Sequence, residues 1–369
     1  MHAFISRRPL ASLQRLTFAS LSFPICYFSL LHAPAMEVGR TLFGCKGRYL
    51  LSKRLEHDRH DSTVFKAKVL PGNKANIASE WVLIKTATPG NEDTRKSLER
   101  EYNTYQSPTI ASSPCIRALY DVVGDPRDLT SCGSACLVLE WMDHTLAELR
   151  PESVRNNYTL LKAFIRASLS ALDAFKQEGL AYIDVKSANV LLSNIDTGNP
   201  IVKIADLGLA CPEGSLKFAQ PYATRAPEIY RGFACTHRAD VWALAVTVVE
   251  LFNSDLFGFS DMDCNVPVEG WCIAKLMLLF GGDLGSLADN DAIKKDFKLG
   301  RLLAEWVDKG EQVVKVSSFE EEMQSMDMPE ALKGFMKYLF VVDPDKRPSA
   351  AQALASKELR AFEAEGLEA

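Results

Sequence analysis

The spacing of apolar residues along this chain switches from one period to another, and that switch restricts the fold more than any other feature. Up to about residue 140 the apolar residues sit in short runs rich in β-branched and aromatic side chains. Gly47-Arg48-Tyr49-Leu50-Leu51 opens the first run, and Ser62-Thr63-Val64-Phe65-Lys66-Ala67-Lys68 forms the second. Trp81-Val82-Leu83-Ile84-Lys85 and Cys136-Leu137-Val138-Leu139 follow. Such runs predict strands, with Pro71-Gly72-Asn73 as a turn between two of them. Residues 92–106 predict one charged helix in the same part of the chain. From about residue 158, Leu160, Leu161, Phe164, Ile165, Leu169, Leu172 and Phe175 recur at helical spacing. Val241 to Val249 is apolar on every side, as a core helix is, and too short to cross a bilayer. A β-rich small lobe ahead of an α-rich large lobe is an α+β arrangement.

Composition narrows the class further. The 369 residues are 47% hydrophobic and 24% charged, which excludes a mainly disordered, collagen-like or multi-span membrane protein. A chain of this length buries roughly three quarters of its surface and needs no cross-links to hold a core. The formal net charge of -5 supplies no basic field, so nucleic acid is not an expected partner. The nine cysteines form no C-x-x-C pair, and Cys132 and Cys136 stand four apart. This predicts reduced thiols in a cytoplasmic or nuclear setting, and neither a disulfide framework nor a zinc site.

Residues 1–36 stand apart. They contain no Asp or Glu, carry Arg7, Arg8 and Arg15, and include an uncharged stretch from Leu16 to Leu31. Three readings stay open: a mitochondrial transit peptide, a signal or anchor segment, or an unstructured extension with Met36 as an alternative start. Pro24 and the serines weaken a spanning helix, so no firm membrane association is expected.

The chemistry lies in the second half. Asp184-Val185-Lys186-Ser187-Ala188-Asn189 precedes an apolar Val190-Leu191-Leu192, and Ile201-Val202-Lys203-Ile204-Ala205 delivers Asp206 just ahead of Leu207-Gly208. Phosphoryl transfer needs carboxylate and amide oxygens for Mg²⁺, a carboxylate to orient the attacking hydroxyl, and cations on the phosphates. These residue types meet that need. Ala226-Pro227-Glu228, Asp240-Val241-Trp242 and Arg347-Pro348 follow in order.

In this ordered set the chain resembles a eukaryotic protein kinase from about Tyr49 to Leu359. The resemblance implies a bilobal fold over residues 47–361, with a β-rich N-lobe at about 47–139 carrying one regulatory helix, then a hinge and an α-rich C-lobe. It implies ATP and Mg²⁺ as cofactors and a protein substrate. Lys85 would grip phosphates and pair with Glu101 of the helix, with Glu99 the weaker choice. Asp184 would accept the substrate hydroxyl proton, and Lys186 would touch the transferred phosphate. Asn189 and Asp206 would hold Mg²⁺. Glu140 and Met142 would meet the base at the hinge, with Leu139 as gatekeeper and Val64 over the nucleotide. Glu228 with Arg347, and Asp240 under the catalytic loop, would be structural. The segment Gln220 to Glu228, and the long stretch holding Trp271 to Met277, are similar to relatives of the SR-protein kinases.

Departures from the pattern bear on activity. The glycine places of the lid hold His57, Arg59 and Ser62, and no glycine lies between Arg48 and Pro71. Glycine allows close backbone approach to phosphate, so the lid is expected to be looser. H-R-D reads Tyr182-Ile183-Asp184, and D-F-G reads Asp206-Leu207-Gly208. The residues alone leave three readings: an active Ser/Thr protein kinase, a pseudokinase acting as a nucleotide-binding or interaction module, or a small-molecule kinase. Plain alternatives stand beside the site readings: an exposed strand lysine for Lys85, a cap for Asp184, a β-turn at Asp206, and a solvated turn for His57, His60 and Asp61.

Overall fold

The computed structural model describes residues 36–55, 63–74, 77, 79–127, 135–216 and 220–365. The strand-rich part forms one six-stranded antiparallel sheet in the order β1-β2-β3-β4-β6-β5. Its strands are β1 (Thr41–Phe43), β2 (Arg48–Leu55), β3 (Thr63–Val69), β4 (Trp81–Thr86), β5 (Leu119–Val123) and β6 (Cys136–Glu140). Period-two alternation sorts the side chains by face. Tyr49, Leu51, Phe65, Ala67, Val82, Ile84, Cys136 and Val138 bury themselves in a small core on one face. Val64, Leu83, Leu137 and Leu139 point the other way. The register sets Val64 and Leu137 on either side of Lys85, so this lysine must lie on the second face.

Helix α1 (Glu92–Thr104) covers that second face, with Asn91 accepting hydrogen bonds from the N–H groups of Asp93 and Thr94 as its N-cap. It buries Thr94, Leu98, Glu101 and Thr104 along one helical stripe. A glutamate on a core stripe requires a cation nearby. A second short helix, α2 (Pro108–Ser112), leads into β5.

Behind the hinge, β7 (His144–Thr145), α3 (Pro151–Arg155) and α4 (Tyr158–Gln177) begin the helical part. Short strands β8 (Leu180–Ala181), β9 (Val190–Ser193), β10 (Ile201–Ile204) and β11 (Cys211–Pro212) pair as β10-β9-β7 and β11-β8. They hold the loops that carry Asp184 and Asp206. Beyond α5 (Pro227–Tyr230), helix α6 (His237–Val249) is buried on nearly every side, as its sequence predicts. Helices α7 (Val268–Phe280), α8 (Asp291–Ala304), α9 (Phe319–Ser325), α10 (Glu330–Leu339), α11 (Ala350–Leu354) and α12 (Lys357–Ala364) complete the part. Trp242 of α6 meets Phe257, Phe280 and Phe340 at ring distances of 6.3, 5.3 and 5.0 Å. The result is the expected bilobal α+β fold. Among the described residues the first strand begins at Thr41 and the last helix ends at Ala364. Among the described residues no helix is long and apolar enough to cross a membrane.

Candidate active site

Lys85 ties the two lobes together. Its Nζ lies 2.7 Å from Glu101 Oε2 on α1 and 2.8 Å from Asp206 Oδ1 beyond β10. Glu101, rather than Glu99, faces inward; Glu99 pairs with Arg95 at the surface over 3.4 Å. Burial works against the Lys85 ammonium, but Asp206 and Glu101 outweigh it and hold its pKa above the ordinary lysine value. Burial also raises the Glu101 carboxyl, with Lys85 pulling it back.

The loop from Tyr182 to Asn189 is fixed from below. Both oxygens of Asp240 accept backbone hydrogen bonds, from Tyr182 and Ile183, each over 2.8 Å. Ile183 is held at φ 59°, a left-handed conformation that a β-branched residue rarely adopts. Such a residue costs about 1–3 kcal/mol and persists only where its surroundings impose it. Burial lifts the Asp240 carboxyl to about 7, against the two N–H bonds that favour its ionised form. Tyr182 is buried, packs at a tilt against Phe175 with ring centres 5.1 Å apart, and donates its hydroxyl hydrogen bond to the Ala205 carbonyl. The tyrosine therefore joins this loop to the residue that precedes Asp206.

Asp184 is 3% exposed. Lys186 Nζ sits 2.9 Å from its Oδ1, and Asn189 Nδ2 donates to its Oδ2 over 2.7 Å. Burial raises the Asp184 carboxyl, with Asp206 adding to the rise, while Lys186 and Asn189 oppose it. Asp206 has a left-handed backbone (φ 56°), which turns its carboxylate back toward Lys85.

These groups line a cleft of about 570 Å³ between sheet and helices. Val64, Leu83, Leu139, Met142, Leu191 and Ala205 give it apolar walls. Of the predicted site residues, Val64, Lys85, Glu101, Met142, Asn189 and Asp206 line the cleft, whereas Glu140, Asp184 and Lys186 do not; Lys186 lies against Asp184, which is reached through Asn189, and the Glu140 side chain turns to Lys203. The lid positions His57, Arg59 and Ser62, and His60 and Asp61 beside them, lie outside the described residues. Among the described residues no group of three or more His, Cys, Asp or Glu could hold a metal ion. Asp206 and Asn189 instead supply a carboxylate and an amide, a pair that suits Mg²⁺ when phosphate oxygens complete the shell.

Glu140 is more constrained than the sequence implies. Its carboxylate is 2.7 Å from Lys203 Nζ and accepts the Ala118 N–H over 3.1 Å. Its backbone carbonyl accepts a hydrogen bond from Arg117 Nε over 2.7 Å. Arg117 lines the cleft and was invisible in the sequence, where it is one arginine ahead of an unremarked strand. Only the pairing of β5 with β6 brings it to the hinge.

Residues 66–358 match the family model described as protein kinase domain. The serine/threonine-protein kinase ppk15 of Schizosaccharomyces pombe is 33% identical over 121 residues, covering 32% of this chain and 22% of the relative. The human dual specificity tyrosine-phosphorylation-regulated kinase 3 is 27% identical over 242 residues, covering 59% and 40%. GLH-binding kinase 1 of Caenorhabditis elegans is 25% identical over 163 residues, covering 42% and 40%. The chain spans less than half the length of these curated relatives.

Proposed function

The chain belongs to the protein kinase family, whose members are ATP-binding transferases, and we propose that it is an active kinase transferring the γ-phosphate of a nucleotide to a serine or threonine of a protein. The observation that carries this reading is the position of Lys85, 2.7 Å from Glu101 and 2.8 Å from Asp206, at the mouth of the loop bearing Asp184 and Asn189. In this reading Lys85 places a permanent cation on the phosphates. Asp206 and the side-chain oxygen of Asn189 hold Mg²⁺, which neutralises charge on the phosphate oxygens when bound. Asp184 accepts the hydroxyl proton, and its burial makes the carboxylate a better acceptor than one in water. Lys186 leaves Asp184 to meet the transferred group. Glu101 keeps Lys85 aimed, and Glu228, Arg347 and Asp240 hold the frame. Val64 and Met142 enclose the base.

The runner-up is a pseudokinase that binds nucleotide or protein without transfer. It is favoured by the glycine-free lid sequence and by the engagement of the Glu140 carbonyl with Arg117. Incubation of the purified chain with Mg²⁺ and γ-labelled nucleotide, using a basic or Ser/Arg-rich protein as acceptor, separates the two. Label on serine or threonine supports the kinase. Binding without transfer supports the module.

A further inference from the structure

Arg117 has no part in that phosphotransfer scheme. It stands at the back of the cleft, 8% exposed, with its Nε on the Glu140 carbonyl at 2.7 Å. Its terminal amino groups make no hydrogen bond and no ion pair within 4.0 Å among the described residues. The neighbouring carboxylates are engaged elsewhere: Glu101 and Asp206 with Lys85, and Glu140 with Lys203. A guanidinium keeps its charge and presents its donors in a rigid fork. These donors open onto the cleft without a partner among the described residues, so the fork suits a ligand edge that offers two acceptors and no donor.

Purine bases differ at just such an edge. Guanine offers acceptors at N7 and O6, whereas adenine offers an acceptor at N7 and a donor amino group at position 6. Arginine forks onto the guanine pair. Against adenine, the guanidinium would set donor against donor. The Glu140 carbonyl, which could take the amino group, already accepts one hydrogen bond from Arg117 Nε. The backbone groups of Met142, further along the hinge, make no hydrogen bond among the described residues and remain for the rest of the base.

We propose that Arg117 makes this cleft a reader of 6-oxopurine nucleotides, so that it takes GTP at least as tightly as ATP. The proposal rests on the reading of the cleft as a nucleotide site. Calorimetric titration of the full chain with GTP, ITP and ATP, with and without Mg²⁺, tests it, repeated on Arg117→Val and Arg117→Lys. The dissociation constant for GTP is expected at or below that for ATP, with ITP grouped with GTP because it shares O6 and N7. Arg117→Val is expected to shift the ratio toward ATP by roughly tenfold to a hundredfold, the usual discrimination of a bidentate arginine–guanine contact. Lysine keeps the charge without the fork and should shift it part of the way. Tighter binding of ATP by the wild type overturns the proposal and leaves the kinase reading standing. So does a ratio that Arg117→Val moves by less than about threefold. Binding of none of the nucleotides overturns the kinase reading and the proposal with it. If Arg117→Val does not fold, the wild-type ratio and the lysine variant still decide.

Discussion

Two buried arginines sit in different regions of this molecule and live under opposite terms. Arg347, in the helical part, is fully enclosed. Its Nη1 and Nη2 reach Glu228 over 2.6 and 2.9 Å, and its remaining donors reach the carbonyls of Val341, Arg238 and Val342 over 2.8, 3.0 and 3.3 Å. Its guanidinium also lies 5.0 Å from the centre of the Trp242 ring. Arg117, in the cleft, has one bond from Nε and nothing for the rest of its fork among the described residues. The difference teaches how to read buried charge. An arginine whose every donor is satisfied within the chain is architecture, whereas one with donors left over at a cavity awaits a ligand.

The largest expected effect tests the architectural half of that contrast. Glu228→Ala or Arg347→Ala leaves one buried charge without its partner, which costs about 3–5 kcal/mol. Chemical denaturation should show that loss for either variant, and the double variant should lose less than the sum of the two. Arg117→Val should cost far less, because among the described residues this arginine makes one hydrogen bond and no ion pair within 4.0 Å. Equal destabilisation by Arg117→Val and Arg347→Ala would erase the distinction.

The next effect moves to the cleft and to rate rather than stability. In the proposed reading Lys85→Ala removes the cation that meets the phosphates, and Asp206→Asn removes the charged metal ligand. Each should lower phosphotransfer at least about a hundredfold, as is usual when a group that meets developing charge is lost. A melting curve should show both variants folded. Near-normal turnover in both would show that the cleft's charges do not serve this chemistry.

The sequence made one of these two regions far more legible than the other. The strands at residues 48, 63, 81 and 136 declare themselves by β-branched and aromatic runs, and α4 and α6 by their apolar patterns. Glu101 could be matched to Lys85, and Glu228 to Arg347, because ordered motifs fix which distant residues meet. β1 and β5 escaped because each is short and lacks clean alternation. Arg117 escaped for a deeper reason. Its role depends on β5 lying beside β6, a register that no local pattern encodes. The special backbone at Ile183 was hidden likewise, since an isoleucine gives no sign of a positive φ until Asp240 grips the two N–H groups around it.

Glu250 offers a smaller effect and an exception within the well-paired region. It follows α6, and among the described residues its carboxylate has no ion-pair or hydrogen-bond partner. Burial alone raises its pKa from 4.5 to about 7. The folded state thus keeps this proton where the unfolded chain has released it. The associated stability is fully present below about pH 4.5 and is lost as the pH rises through about 7. Glu250→Gln should flatten part of the decline in stability between pH 5 and pH 8, by about 1–3 kcal/mol. An unchanged pH profile in the variant would mean that the carboxyl meets water and does not break the contrast.

The smallest expected effect concerns the segment from Leu207 to Pro227, whose hydroxyl side chains are those of Ser215, Tyr222 and Thr224. A cation at position 183 would receive a phosphate placed on this segment and order it. Ile183 is apolar and fully buried, so it offers none. The end of the segment is held by other means. Gln220 donates to the Ala239 carbonyl and accepts from the Ala226 N–H, each over 2.9 Å. Arg225 lies 4.4 Å from the Tyr222 ring and 5.0 Å from the Tyr230 ring, and its Nε donates to the Gln220 carbonyl over 2.8 Å. Tyr222 donates to Glu269 over 2.7 Å, and Thr224 is 2% exposed, closed to a modifying enzyme in this conformation. Here cation–π contacts and hydrogen bonds within the chain do what a phosphate would otherwise do, and the segment belongs with Arg347 rather than with Arg117. Phosphatase treatment should therefore change the rate by less than about twofold, a span within ordinary surface effects. A large loss that Ser215→Ala or Thr224→Ala reproduces would mean that another cation receives a phosphate, and that this segment, like the cleft, is completed from outside.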